Sequence, residues 1–169
     1  MNIVSTAELG QNVDLAQLNK QEWGRYDLDI YPAGYIKDGL MLGQVTVFQT
    51  GKMISVGASS IKASRNNLNH AKDLLQSAGL IDDVKIKPKI RNIVASADLE
   101  RPIDLAKFVR LSSNVIYEPE QFPGAIMKSK AESTSFLIFA SGKAVVAGAK
   151  TPAEVRIALH NLEKTTADY

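Results

Sequence analysis

A chain of 169 residues, 45% apolar and 22% charged, is long enough for one substantial core or two small fused halves. Its apolar runs are short and interrupted, so none could span a bilayer, and Met1-Asn2-Ile3-Val4 lacks the basic start and long apolar stretch of a secretory signal. The absence of cysteine excludes disulfides and thiolate metal sites, while a net charge of +2 permits a polyanionic partner without demanding one.

Taken in order, residues 2–9 read as a strand, 13–22 as a short helix, and 26–58 as an antiparallel meander punctuated by glycine. Leu68, Ala71, Leu75 and Ala78 then recur at helical spacing until Gly79 supplies a stop. The same series follows again: a strand over 90–99, a helix over 103–111, a meander over 116–149, and a helix carrying Val155, Leu159 and Leu162. Thr151-Pro152-Ala153-Glu154 opens that last helix with a cap, a first-turn proline and a reciprocal glutamate.

The recurrence is a duplication. Phe48-Gln49-Thr50-Gly51-Lys52 lies 91 residues before Phe139-Ala140-Ser141-Gly142-Lys143, and the same interval pairs Gly57 with Gly148, Tyr26 with Tyr117, Tyr31-Pro32 with Phe122-Pro123, and Lys37 with Lys128. Nearer the start the interval becomes 90, matching Asn2-Ile3-Val4 to Asn92-Ile93-Val94 and Asp14-Leu15-Ala16 to Asp104-Leu105-Ala106. Two copies of this length predict a pseudo-dyad, divided as 1–85 and 86–169.

Strand side chains alternate between faces. Lys52, Ile54 and Val56, their mates Lys143, Val145 and Ala147, and Asn2, Val4, Asn92 and Val94 therefore share one face. Met53, Ile93 and Val146 face the other way, towards the closing helices. Both faces are apolar, yet only one has helices to cover it. The second is either a binding surface or is covered by a loop or a second subunit.

Asn2-Ile3-Val4-Ser5-Thr6, Phe48-x-x-Gly51-Lys52, Tyr117-Glu118-Pro119-Glu120-Gln121-Phe122-Pro123-Gly124 and Leu137-Ile138-Phe139-Ala140-Ser141-Gly142-Lys143 together resemble the TATA-binding protein family, over nearly the whole chain and in family order. The start directly at the first strand is similar to archaeal members. The resemblance implies an α+β saddle: two β-α-β4-α repeats forming one curved antiparallel sheet, helices on the convex face, the concave face in the minor groove of A·T-rich promoter DNA. It further implies a role in transcription initiation, in the archaeal nucleoid or a eukaryotic nucleus.

On that resemblance, Tyr31, Phe48, Phe122 and Phe139 are the residues that wedge between base steps, with Tyr31 in place of a customary phenylalanine. Asn2 and Asn92 donate to base acceptors, and Val4, Ile54, Val56, Val94, Leu137, Val145 and Ala147 line the reading face. Val56 and Ala147 stand where the family carries threonines, and Thr46 where it carries leucine. Losing two neutral hydrogen bonds would cost about 1 kcal/mol each and relax sequence preference. Lys37, Lys52, Lys128, Lys143 and Lys150 would contact phosphates, with Arg65 and Lys130 as lesser candidates and Ser59 where a lysine is customary. Glu118, Glu120 and Gln121 form the loop that family members offer to transcription factor B, which brings RNA polymerase indirectly. Asp27-Leu28-Asp29 is a second acidic loop.

Lys85, Lys87, Lys89 and Arg91 alternate with parity opposite to Asn92, pointing to a solvated edge or a partner contact. His70 and His160 have no carboxylate or thiol at ligand spacing, so no metal or other cofactor is implied. No nucleophile–histidine–acid set, phosphate loop or paired-acid motif is present, which argues against an enzyme. Other readings remain: a divergent paralog with relaxed DNA preference acting through protein partners, an accessory domain of a nucleic-acid enzyme, and two copies pairing through the bare face without DNA.

Overall fold

The computed structural model describes residues 1–129 and 133–169; Lys130 lies outside them. The chain divides into two compact units, Asn2–Arg91 and Asn92–Tyr169, the latter grouped with Met1.

The first unit contains β1 (Asn2–Glu8), a 3-10 helix (Leu15–Lys20), β2 (Gly24–Arg25), β3 (Gly34–Ile36), β4 (Gln44–Val47), β5 (Lys52–Ala58) and α1 (Ile61–Ser77). Its strands run in the order β2-β3-β4-β5-β1, each pair antiparallel. The second unit repeats the plan with β6 (Lys89–Asp98, entered from the first unit), α2 (Leu105–Leu111), β7 (Val115–Ile116), β8 (Gly124–Lys128), β9 (Ser135–Phe139), β10 (Lys143–Ala149) and α3 (Pro152–Thr166). Its order is β6-β10-β9-β8-β7, again antiparallel. The meanders thus hold four strands each, the first only two residues long.

The helix ends follow from local chemistry. Ser60 Oγ accepts the Ala63 amide at 3.1 Å to start α1. Gly79, at φ +69°, ends it: its amide bonds Gln76 O while Leu80 N bonds Leu75 O, which satisfies two terminal carbonyls. In α3, Thr151 Oγ1 accepts Glu154 N at 3.2 Å, and Glu154 returns a bond to the Lys150 amide at 2.8 Å, one residue before the cap. That amide bond, helped by Thr151 and the Lys150 charge against a smaller cost of burial, lowers the Glu154 pKa. The early helix of the first unit is short and 3-10; Asn19 closes it by donating to Tyr26 O and accepting from Tyr26 N, both at 2.7 Å.

One face of each sheet is covered. Under α1 lie Ala7, Val45, Val47 and Met53, packed with Leu68, Ala71 and Leu75 in one core. A buried polar seam runs through it: Ser5 and Ser64 hydroxyls meet at 2.6 Å, and the Asn67 amide donates to Leu42 O at 2.7 Å. In the second unit the equivalent positions are Ala95, Val155 and Ala158, all buried, so the same seam is apolar.

The β4–β5 and β9–β10 hairpins share a loop. Gly51 N bonds Phe48 O at 2.8 Å with φ +81°, and Gly142 N bonds Phe139 O at 2.9 Å with φ +85°. A Cβ on Gly142 would sit 2.0 Å from Arg101 O, a backbone atom that cannot rotate away. Gly142→Ala therefore combines left-handed strain of about 1–2 kcal/mol with a collision, and should lower the thermal midpoint clearly. An unchanged melting temperature would refute this account of the hairpin.

Candidate nucleic-acid interface

The uncovered face of the first unit presents a row of register partners: Tyr35 opposite Thr46, Thr46 opposite Ile54, and Ile54 opposite Thr6. The second unit presents Ile126, Leu137, Val145 and Ser96 in the same relation. A second row sets Gln44 against Val56, and Lys128, Ser135 and Ala147 side by side. Val4, Ile54, Val56, Val94, Leu137, Val145 and Ala147 are all half-buried, whereas their strand neighbours Met53, Ser55, Val146 and Ile138 are buried. Alternation therefore leaves, among the described residues, a largely half-buried face in each unit that no helix of that unit covers. Tyr35, Gln44, Ile126 and Ser135 belong to it and were not singled out from sequence; register against Thr46, Val56, Leu137 and Ala147 is the signal that finds them.

The two asparagines are held identically. In the first unit the β1–β5 ladder slips between Ile3 and Ser5, and Gly57 at φ +85° occupies the bulge. Its amide has left the ladder and donates to Asn2 Oδ1 at 3.0 Å. In the second unit the slip lies between Val146 and Ala149, Gly148 has φ +100°, and its amide donates to Asn92 Oδ1 at 2.8 Å. Because an N–H can only be met by an acceptor, the bulge fixes which way each carboxamide turns: oxygen inward, NH₂ away from the backbone. A Cβ on Gly148 would meet Ser133 O at 2.2 Å, so the bulge residue must be glycine.

The aromatics are placed in pairs. Tyr31 and Phe48 meet edge to face at 6.3 Å in the first unit, and Phe122 and Phe139 at 5.9 Å in the second. Tyr31 is 41% and Phe122 38% exposed, and Phe48 and Phe139 are half-buried, so none is sealed in a core. Each pair is assembled from the hairpin loop above and from a one-turn loop. The carbonyl of Asp27 accepts the amides of Ile30 and Tyr31, and that of Glu118 accepts those of Gln121 and Phe122. That turn folds Tyr31 and Phe122 back against their partners and leaves Glu118, Glu120 and Gln121 exposed, as it leaves Asp27, Leu28 and Asp29. Tyr31 also stacks on Tyr35 at 6.1 Å.

Lys37, Lys52, Lys128, Lys143 and Lys150 are all exposed. Lys52 and Lys143 share the parity of the bare face and stand opposite Glu8 and Asp98 in the ladders. The ion pairs among the described residues, His70–Asp38 and Lys72–Asp73, involve none of the five. Arg65 and Ser59 are exposed. Arg91 donates through Nε to Thr6 Oγ1 at 2.8 Å, the buried end of the first row, and with Lys85, Lys87 and Lys89 lines a groove of about 280 Å³ beside β1. His70 does have a carboxylate companion, Asp38 at 2.5 Å, 32 residues away and beyond any local spacing rule. Among the described residues no three His, Asp or Glu side chains gather as a metal site, and no helix is long and apolar enough to cross a membrane.

The family model described as "Transcription factor TFIID (or TATA-binding protein, TBP)" matches residues 1–78 and again 87–168. The chain belongs to the TATA-binding protein family. It is 44% identical over 158 residues to the TATA-box-binding protein of Cenarchaeum symbiosum, covering 92% of this chain and 86% of the relative. To that of Pyrobaculum aerophilum it is 37% identical over 164 residues, covering 95% and 81%. Its fold matches the Methanococcus jannaschii TBP with a TM-score of 0.89 at 28% identity, over 100% of this chain and 97% of that one. Membership of the TATA-binding protein family makes this a DNA-binding factor of transcription initiation, with archaeal relatives.

The Asn92 amide can be tested apart from the bulge it supports. Asn92→Asp keeps an acceptor for Gly148 N but removes both N–H donors. It should leave the thermal midpoint unchanged and weaken duplex binding about tenfold or more, the value of one to two hydrogen bonds. Equal affinity of the two proteins in a fluorescence titration would refute the outward-donor geometry.

Proposed function

We propose that the protein binds A·T-rich promoter duplexes through the minor groove, bends them, and presents the resulting complex to transcription factor B and RNA polymerase. The observation that carries this reading is the pair of carboxamides turned outward by Gly57 and Gly148 on faces that also carry Val4, Ile54, Val56, Val94, Leu137, Val145 and Ala147. The minor groove of A·T pairs offers adenine N3 and thymine O2, acceptors only, at nearly equivalent positions. A reader of that groove needs few donors and an apolar remainder, and it excludes G·C pairs because the guanine amino group would meet carbon.

The aromatic pairs supply the bending. Apolar wedges between base steps unstack them and kink the duplex, as TATA-binding proteins themselves are known to do, at a cost of about a few kcal/mol per step. Phe48 and Phe139 start from hairpin loops whose glycines fix their direction, while Tyr31 and Phe122 are exposed and mounted on the one-turn loops. Tyr31 carries a hydroxyl that needs a water or sugar-phosphate partner once inserted, so the kink beside it is the weaker one. Lys37, Lys52, Lys128, Lys143 and Lys150 meet phosphates and hold register without reading sequence.

Glu118 and Glu120 on an exposed, proline-held loop suit a basic surface of transcription factor B. Gln121 replaces an apolar residue there and makes that contact more polar.

A second reading has its own observation. Val56 and Ala147 put methyl groups on the bare face where hydroxyls would donate, which favours a paralog with relaxed sequence preference. Bending of fluorescently labelled A·T-rich and scrambled duplexes at two salt concentrations separates the two. A kink confined to the A·T-rich duplex supports promoter recognition; equal, salt-sensitive binding of both supports the paralog; no binding overturns both. Restoring the donors with Val56→Thr and Ala147→Thr should sharpen A·T discrimination by about one to two orders of magnitude, from about 1 kcal/mol per bond. Unchanged discrimination would remove the hydroxyls from the explanation.

A further inference from the structure

The second unit contains an open groove of about 400 Å³ on its helix side, between α2, β8, β9 and α3. Its floor is Met127, Phe136, Ala158 and Leu162, and its walls include Asn114, Ser129, Asn161 and Thr165. Among the described residues, its lining carries no Asp, Glu, Lys or Arg. The exposed Leu111 forms an apolar lip.

The first unit shows what a closed version looks like. At the interval of 91 residues, the four wall positions correspond to Trp23, Asp38, His70 and Leu74. Trp23 and Leu74 pack, partly buried, against the first core, and His70 bridges to Asp38 at 2.5 Å. The backbone frame is the same in both units: Lys37 N bonds Trp23 O, and Lys128 N bonds Asn114 O. An indole, a leucine and a bridging pair in one copy are thus replaced in the other by two carboxamides and two hydroxyls.

We propose that this groove is a docking site for an aromatic side chain with a hydrogen-bonding edge, an indole or a phenol, presented by a partner protein. The occupant takes the place in the second unit that Trp23 takes in the first. The apolar floor accepts the ring, and the carboxamide and hydroxyl oxygens of the wall accept from its N–H or O–H, as buried tryptophan and tyrosine require, while Asn114 Nδ2 and the Thr165 hydroxyl donate to Lys128 O and Asn161 O. The described lining residues offer no charge to a phosphate or to an acidic or basic side chain, unlike the lysine-bearing faces of the sheets. An anchoring aromatic in a preformed pocket is the usual centre of a protein–protein contact.

N-acetyl-tryptophanamide is the probe. Titrated into the full ¹⁵N-labelled chain, it should shift the amides of Ser112–Asn114, Ser129, Asn161 and Thr165 saturably in the millimolar range, while N-acetyl-lysinamide leaves them unmoved. Asn114→Trp fills the groove from within and should weaken the shifts at least tenfold without changing duplex binding. Should that variant fold poorly, Ser129→Asp with Asn161→His rebuilds the lid of the first unit and should give the same loss. Absence of saturable shifts, shifts centred on Trp23 instead, equal shifts with the lysine probe, or binding that survives both variants would each overturn the proposal.

Discussion

The structure depends on a backbone amide that has left its ladder. At the bulge of each unit a glycine N–H turns out of the sheet and would be stranded without a partner, a loss of about 1–3 kcal/mol. The opening asparagine of β1 or β6 satisfies it, and in doing so commits its carboxamide to one orientation. Pinning costs no ordering entropy when a ligand arrives, because the rotamer is already fixed by folding. One interaction therefore supports the strand pairing and sets the donor that would meet a base edge.

The bare faces carry the complementary burden. Leaving Ile54, Val56, Leu137 and Val145 half-exposed forgoes stabilisation that each would gain under a helix, about 1.5–3 kcal/mol for a fully buried side chain. The covered faces make up for this: Ile3, Met53, Leu68 and Leu75 in one unit, and Ile93, Phe108, Ile138 and Leu162 in the other, are wholly buried. Further support comes from tertiary ties such as Phe108 on Tyr169 at 5.1 Å and the bond from Lys107 Nζ to Asp168 O at 2.9 Å.

Much of this was legible because it is periodic or local. The 91-residue interval predicts the shared plan of the units, alternation in 52–57 predicts which side chains lie beneath α1, and Thr151-Pro152-Ala153-Glu154 predicts the start of α3. What stayed hidden depends on pairing at a distance. Nothing local ties Asn2 to Gly57, so the lone-pair side of that amide could not be assigned from sequence. The His70–Asp38 contact was missed for the same reason, and Tyr35 and Ile126 emerge as part of the bare face only once β3 and β8 have a register. The first short helix reads as helical over 13–22, but it is a 3-10 helix confined to Leu15–Lys20, with Asn19 binding back to Tyr26.

The two copies within one chain also separate constraints by kind. Asn2 and Asn92, Phe48 and Phe139, Gly51 and Gly142, Lys52 and Lys143, and Gly57 and Gly148 are the same residue in both halves, while Tyr31 and Phe122, Thr46 and Leu137, and Ser59 and Lys150 differ. On the helix side the halves part: Ser5, Ser64 and Asn67 correspond to Ala95, Val155 and Ala158, and Trp23 corresponds to Asn114. Packing alone asks only that each core be filled, and it tolerates such exchanges when volume and partners change together. It supplies no reason for those five pairs to match. A ligand that is itself two-fold does supply one, and duplex DNA presents the same acceptor edge from either strand. The helix sides, freed from that demand, are where the two halves diverge in sequence.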